Sequence, residues 1–181
     1  MVKIYNKKLP DKPIYGTIID FETIGDFRNE FNDSRRYQDI IPTVFGFLEG
    51  STIKIFCAKS IKSLENLKTI IRDTIPKLKR PFYAFNSNFE RSILFHYLGL
   101  NILFLELNNE QMESKKDARR SLGIPNYGDP FFDRGKLCIQ AWHKGELDKV
   151  ILHNRSCLLK ERDILLKRGF RSPDPIILRK I

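Results

Sequence analysis

Two acidic residues, Asp20 and Glu22, follow an apolar run in the stretch GTIIDFETIG near the start of the chain. Alternate side chains of a β-strand point to the same face, so both carboxylates would project together, roughly 6 to 7 Å apart. Two carboxylates that close repel each other unless a cation lies between them, and Mg²⁺ and Mn²⁺ prefer oxygen ligands. The pair therefore indicates a divalent-cation site; the alternative is a strand that simply emerges into water.

A third carboxylate, Glu90, stands in the stretch AFNSNFERSIL, where we expect an apolar strand to end at Asn86 and a helix to begin. Acidic residues are favoured in the first turn of any helix because of the helix dipole. Glu90 alone therefore indicates no site, but together with the pair on the strand it completes a set of three carboxylates.

The stretches IIDFET and FNSNFE resemble the first two motifs of the DEDD superfamily of 3′ to 5′ exonucleases, D-x-E and N-x-x-F-D. The resemblance implies that Asp20, Glu22 and Glu90 are catalytic metal ligands. It also implies that Asn86 and Phe89 frame the second motif, in which Glu90 replaces the family's aspartate. The chain looks most like an uncharacterised branch of nucleases that carries N-x-x-F-E.

The family's third motif is either a tyrosine with an aspartate four residues later or a histidine with an aspartate five residues later. The stretch LHNRSCLLKERDIL resembles it. His153 takes the aromatic or histidine position, which implies a general base, whereas Cys157 and Leu158 stand where the fourth carboxylate belongs. A thiolate would weaken a Mg²⁺ site and favour softer ions such as Mn²⁺ or Zn²⁺; the alternative is a buried cysteine without chemistry. Glu161, one helical turn after Cys157, could supply the missing carboxylate. Two further acids are near in the sequence, Asp133 and Asp148.

The implied activity is hydrolysis of phosphodiester bonds at the 3′ end of DNA or RNA, with two Mg²⁺ or Mn²⁺ ions, or one. The alternative is a ribonuclease H-like module that has lost catalysis and binds nucleic acid or a protein partner. Aromatic rings can stack on bases, and basic side chains can bind phosphates. The candidate substrate-binding residues are Asn86, Phe21, Phe85, Phe89, Arg91, Arg134, Lys136, Arg155 and Lys160, with the run ESKKDARR as an accessory patch.

Strand and helix patterns alternate along the chain, which predicts an α/β, ribonuclease H-like fold with a mixed sheet of about five strands flanked by helices. The strands are expected at 14–23, 43–50, 51–58, 80–86 and 101–108, with a hairpin between the second and third. Helices are expected from Ser63 to Pro76, at 87–100, in KLCIQAWHKG and at 146–168. The loop LGIPNYGDPFFDRG should run across the surface near a site. We expect one domain over 1–181, with an N-terminal extension 1–13 and a C-terminal tail 170–181.

Charge, hydropathy and cysteine content indicate the kind of partner and the compartment. The formal charge is +10 over 181 residues, which favours an acidic partner, most commonly a polyanion such as nucleic acid; the alternative is that the charge serves only surface solubility. No apolar run is long enough for a membrane span or a secretory signal, so we expect a cytoplasmic protein without a membrane partner. The three cysteines, Cys57, Cys138 and Cys157, are odd in number and far apart, which predicts free thiols.

Overall fold

The computed structural model describes residues 1–10, 13–108 and 113–168. These residues form an α/β fold in which helices flank a mixed sheet of six strands, ordered β1-β4-β3-β2-β5-β6. The predicted fold class is confirmed, and the architecture is consistent with a ribonuclease H-like fold. The strands are β1 (Val2–Lys8), β2 (Thr17–Ile24), β3 (Ile41–Glu49), β4 (Thr52–Ala58), β5 (Phe82–Ala84) and β6 (Phe104–Glu106).

Strand β2 lies where the antiparallel and parallel parts of the sheet meet. It pairs with β3 in antiparallel register and with β5 in parallel register. The hairpin predicted around Glu49 and Gly50 is present, because Glu49 of β3 pairs with Thr52 of β4. The acidic motif is therefore carried by a central strand, where Asp20 and Glu22 pair with β3 beyond the two residues that pair with β5.

Strand β1 was not predicted, and it lies within the segment 1–13 that was predicted as an N-terminal extension. It pairs along its whole length with β4, from Val2 opposite Ala58 to Lys8 opposite Thr52. Its side chains are mostly exposed or half-buried, so lysines are tolerated and hide the apolar pattern of a strand. Residues 11 and 12 and the predicted tail 170–181 lie outside the described residues.

The helices in the described ranges follow the predicted order, with one addition. Helix α3 lies in the run ESKKDARR, which was predicted only as a basic surface patch. The first helix ends at Thr74, before Pro76, whose missing N–H and ring disfavour a helix interior. No described helix has both the length and the apolar composition needed to cross a membrane. The helices are α1 (Leu64–Thr74), α2 (Ser87–Leu98), α3 (Lys115–Ser121), α4 (Gly135–His143) and α5 (Leu147–Lys167).

Helix α5, with 21 residues, is the main support of the site. It packs against β2, β3 and β4 through apolar side chains such as Val150, Leu158 and Ile164, each 0% exposed. The same helix also buries polar side chains, of which His153, Asn154 and Glu161 lie beside the second half of β2. Burying polar groups is costly unless they are paired. The partners of these side chains therefore indicate which residues form a candidate site.

Candidate active site

A cavity of about 350 Å³ lies beside the second half of β2, with residues from all five elements β2, α2, α3, α4 and α5 on its walls. The three carboxylates of the first two motifs, Asp20, Glu22 and Glu90, all line it. Glu161 of α5 lines it as well, as does Asp133 from the loop before α4. The structure thus brings together the predicted metal ligands and supplies a carboxylate one turn after Cys157.

The D-x-E pair is held in place by the amide of Asn154. Its Nδ2 donates to Asp20 Oδ2 at 2.7 Å and to the Asp20 backbone oxygen at 3.2 Å, and lies 3.5 Å from Glu22 Oε1. One amide can reach both carboxylates only because they share a face of β2, as strand geometry predicts. Phe21, between them, stacks on Phe45 with ring centroids 5.3 Å apart and is 4% exposed.

Gly46 of β3 makes room for this amide. It pairs with Asp20 across the sheet, and a Cβ at Gly46 would lie 1.9 Å from Asn154 Oδ1. No side chain larger than hydrogen fits there without displacing Asn154. The close approach of α5 to the acidic strand therefore depends on a residue in the neighbouring strand.

Lys115, the first residue of α3, reaches into the acidic cluster. Its Nζ lies 2.9 Å from Asp20 Oδ1 and 2.5 Å from Glu161 Oε1. Burial would lower the pKa of Lys115, but Asp20, Cys157 and Glu161 outweigh it and raise that pKa well above its ordinary value. A permanent ammonium thus bridges a carboxylate of β2 and one of α5.

Two carboxylate oxygens in the cluster have no donor. Among the described residues, neither Glu90 Oε2 nor Glu161 Oε2 has a hydrogen-bond partner, although both atoms are buried. Burial raises the pKa of Glu161 to about 8; burial, together with Asp20 and Glu161, raises that of Glu90 well above its ordinary value. A cation beside these oxygens would remove the cost of burying them. Asp20, Glu90 and Glu161 therefore offer the kind of oxygen ligand that a hard divalent cation prefers.

His153 is oriented by a buried carboxylate that the sequence did not single out. Asp129, 2% exposed, lies with Oδ1 2.7 Å from His153 Nδ1. Asp129 also accepts hydrogen bonds from the backbone N–H groups of Phe131 and Asp133 and from the ammonium of Lys160. Burial would raise the pKa of Asp129, but His153 and Lys160 lower it below its ordinary value. The other ring nitrogen of His153 is left to face the cavity side.

That second nitrogen has three possible partners. His153 Nε2 lies 3.7 Å from Glu22 Oε1 and 3.9 Å from Cys157 Sγ. Glu22, Cys138 of α4 and His153 also offer ligand atoms that all lie within 4.8 Å of one another, as do Asp20, Glu22 and Cys157. Two thiols, an imidazole and two carboxylates therefore lie in two overlapping groups, which share Glu22 and one of which contains Asp20.

The charge state of His153 bears on its predicted role as general base. Burial works against the charged imidazolium, but Cys157, Glu22 and the hydrogen bond to Asp129 outweigh it and raise the pKa of His153 to about 12. A general base needs a free, neutral nitrogen near the working pH. The base role stays a prediction, and it would require His153 first to lose the proton that these neighbours favour.

The mouth of the cavity carries aromatic rings and an exposed lysine. Phe27 is 47% exposed and packs edge to face on Phe89, with centroids 6.5 Å apart. Lys136 and Asn86 are exposed on the same lining. Phe85 also lines the cavity but is 6% exposed, so it is mainly a core residue, as is Phe21.

Several predicted substrate-binding residues lie elsewhere. The prediction is wrong for Lys160, which is 0% exposed and bound to Asp129 and Asp133 at 2.7 and 2.5 Å. Arg91 lines a second cavity, of about 440 Å³, where it donates to Asn101. Arg134 and Arg155 do not line the acid-lined cavity. Asp148 does not line it either, and it is paired with Lys3 at the surface.

Sequence reasoning missed Lys115, Asp129 and Cys138 for separate reasons. Lys115 belongs to a charged run, which is usually solvated, and its partner Asp20 is 95 residues away. Asp129 sits in the loop predicted to run across the surface, yet it is buried; a signal was present, since an aspartate in a Gly- and Pro-rich turn often accepts from the backbone two residues on. Cys138 has no sequence signal, because its partners are on other elements.

Comparison with models of known protein families, with curated proteins and with solved structures finds no match to this chain. The resemblance to DEDD exonucleases therefore stays a hypothesis carried by the motifs. Any function has to be inferred from the geometry and the chemistry of the cavity.

Proposed function

We propose that the chain is a divalent-metal-dependent nuclease that hydrolyses phosphodiester bonds of DNA or RNA from the 3′ end. The observation that carries the proposal is the convergence of carboxylates from β2, α2 and α5 on one cavity, with two buried oxygens that have no donor among the described residues. A divalent cation would compensate such a set, and clustered carboxylates with hard cations are a common device for phosphoryl transfer. We further propose a cytoplasmic location, in keeping with free, buried thiols.

Asp20, Glu90 and Glu161 would hold Mg²⁺ or Mn²⁺. Together they carry three negative charges when ionised, and the ammonium of Lys115 offsets one of them. Two negative charges are left, which one divalent cation balances. The charge balance thus favours one hard ion in this cluster over the two that the resemblance implies. When bound, that ion would stabilise negative charge on the phosphate and make a bound water more acidic.

The residues of the chain itself have separate roles in the proposal. Asn154 fixes Asp20 Oδ2 at 2.7 Å and so orients its carboxylate toward the cavity. Lys136 at the mouth would attract a phosphate, and Phe27 and Phe89 would stack on a base, as aromatic faces do with single strands. A net charge of +10 would raise the rate of encounter with a polyanion.

A 5′-labelled oligonucleotide incubated with Mg²⁺ or Mn²⁺ tests the proposal. We expect a ladder that shortens from the 3′ end, whereas a circular strand and an oligonucleotide with a blocked 3′ end stay intact. Asp20→Asn keeps the size of the side chain and should reduce cleavage by at least about a hundredfold, since removal of one electrostatic partner at a reaction centre costs on that order. Asp148→Asn, which changes an exposed acid on α5, serves as the matched control. Cleavage that Asp20→Asn leaves unchanged would contradict the proposal.

A binding module without catalysis is the second candidate, and Lys115 is the observation that favours it. An ammonium that already bridges Asp20 and Glu161 partly neutralises the cluster without any metal. This candidate predicts salt-sensitive binding to oligonucleotides, no metal-dependent cleavage, and the same affinity in Asp20→Asn. The cleavage and binding assays together separate the two candidates.

A further inference from the structure

Beside the carboxylate cluster lies a second group of side chains with a different chemical character. Glu22 comes from β2, Cys138 from α4, and His153 and Cys157 from successive turns of α5. The side chain of Glu22 is 12% exposed, and the other three residues are buried. Thiolate and imidazole are ligands that zinc prefers, whereas Mg²⁺ prefers oxygen. We propose that these four residues bind one Zn²⁺ ion, separate from the hard cation of the proposed nuclease.

Two of the distances between ligand atoms are close to those of a tetrahedral zinc centre. At zinc bond lengths of about 2.0 to 2.3 Å, ligand atoms of a tetrahedral site lie about 3.4 to 3.8 Å apart. His153 Nε2 lies 3.7 Å from Glu22 Oε1 and 3.9 Å from Cys157 Sγ. The thiol of Cys138 lies within 4.8 Å of both the Glu22 oxygen and the His153 nitrogen. A tetrahedral centre would need His153 Nε2 and Cys157 Sγ to approach each other by a few tenths of an ångström. It would also need the Cys138 thiol, which is grouped with Glu22 and His153, to move closer to Cys157.

The partner of the other ring nitrogen supports the assignment independently. A metal-bound histidine almost always donates its second ring N–H to a carboxylate or a carbonyl, which fixes the tautomer and the ring orientation. His153 Nδ1 has such a partner in Asp129 Oδ1 at 2.7 Å, and Asp129 is itself held by Lys160 and two backbone N–H groups. The arrangement holds Nε2 toward Glu22 and the thiols.

Four protein ligands fill a tetrahedral zinc site, which is typical of structural rather than catalytic zinc. The ion would fasten β2, α4 and α5 to one another at the edge of the cavity. His153 would then be a ligand and not the general base that the resemblance implies. Cys157, which stands where the third motif has its carboxylate, would then bind zinc, and Asp20, Glu90 and Glu161 would bind the hard cation. Binding releases the two thiol protons, the Nε2 proton of His153 and any proton held by Glu22 to solvent, and no oxidation or reduction takes place.

Metal analysis of the wild-type chain tests the proposal directly. We expect one zinc per chain by mass spectrometry of the metal content after purification in the presence of zinc and removal of excess ion. After exchange with Co²⁺, a near-ultraviolet charge-transfer band should report thiolates bound to the metal. A wild-type chain with no retained zinc and no such band would overturn the proposal, whatever the behaviour of any variant.

Cysteine variants identify the ligands, and the chain offers a matched control. Cys138→Ser and Cys157→Ser should each lower zinc retention at least tenfold and weaken the cobalt band, and the double variant should abolish the band. Cys57→Ser, in a buried cysteine outside the cluster, should retain zinc and the full band. A band unaffected by Cys138→Ser and Cys157→Ser would also overturn the proposal.

The outcome is distinguishable from that of the proposed nuclease. Asp20→Asn should abolish cleavage but retain zinc, because Asp20 is assigned to the hard cation. A chain that lacks zinc yet cleaves DNA or RNA with Mg²⁺ would refute the zinc site alone. A chain that retains zinc and cleaves nothing would refute the nuclease alone.

Discussion

The buried ammonium of Lys160 gives the sharpest stability prediction. Lys160 was a candidate for substrate binding, but its side chain is 0% exposed and lies between the carboxylates of Asp129 and Asp133, which are 0% and 5% exposed. Lys160→Met keeps the length of the side chain and removes the charge. Two carboxylates then stay buried without the cation that both of them share.

The expected loss follows from what each carboxylate keeps. Removal of one partner from a buried ion pair costs about 3 to 5 kcal/mol. Asp129 keeps His153, and Asp133 keeps Arg119 at 3.3 Å, so the loss should fall near the lower value, about 3 kcal/mol. At about 2 to 4 °C per kcal/mol for a chain of this size, the melting temperature should drop by roughly 6 to 12 °C.

Urea unfolding followed by circular dichroism measures this loss. Lys149→Met is the matched control, because Lys149 lies on the same helix, is paired with Glu146 and is 57% exposed; we expect no measurable change. Asp133→Asn added to Lys160→Met should recover part of the stability, since it removes one of the uncompensated charges. A loss below about 1 kcal/mol in Lys160→Met would refute the reasoning, because buried charge pairs are expected to cost several times that.

Two further predictions concern the site. Gly46→Ala places a Cβ 1.9 Å from Asn154 Oδ1, so the free energy of unfolding should fall by about 1 to 3 kcal/mol, the usual cost of overpacking, and nuclease activity should fall because Asn154 is displaced. Gly135→Ala is the control, because its Cβ meets no atom within 4 Å, and it should unfold like the wild type. Equal stability of the two variants would contradict the steric account. Without metal, the chain should lose stability as the pH rises from about 5 to 8. Burial raises the pKa of Glu22 to about 7 and that of Glu161 to about 8, so the folded state holds protons there that the unfolded chain has already released. Urea unfolding across this pH range measures the change in stability, and the double variant Glu22→Gln, Glu161→Gln should show a flatter dependence on pH. A wild-type stability that rises with pH would be inconsistent with these pKa shifts.

Local patterns predicted much of the fold because the elements concerned are determined by local sequence. The hairpin of β3 and β4 follows from two β-rich stretches around Glu49 and Gly50, and helix α1 ends before Pro76 for a steric reason. Strand β1 was missed because an edge strand with exposed faces carries lysines. Helix α3 was missed because seven charged or small residues show no apolar stripe from which a helix can be predicted.

The candidate site was predictable where strand geometry or helix spacing determines it. Asp20 and Glu22 had to share a face, and Glu161 had to lie one turn beyond Cys157. The spacing could not place Lys115, whose contact with Asp20 spans 95 residues. It also could not place Cys138, which meets Glu22 only through the packing of α4 against β2 and α5. Contacts between distant elements are set by the whole core, and a single sequence does not display them.

Helix α5 presents to the site a row of side chains whose positions are all set by one helical register. Deletion of one residue early in this helix would turn the rest by about 100°, and every one of these side chains would leave its partner at once. Exchange of a single side chain, in contrast, changes one ligand and leaves the others in place. Point substitutions can therefore change the chemistry of this cavity one side chain at a time, whereas an insertion or deletion within the helix would disrupt all of these contacts together. The residues concerned are His153, Asn154, Cys157, Lys160 and Glu161.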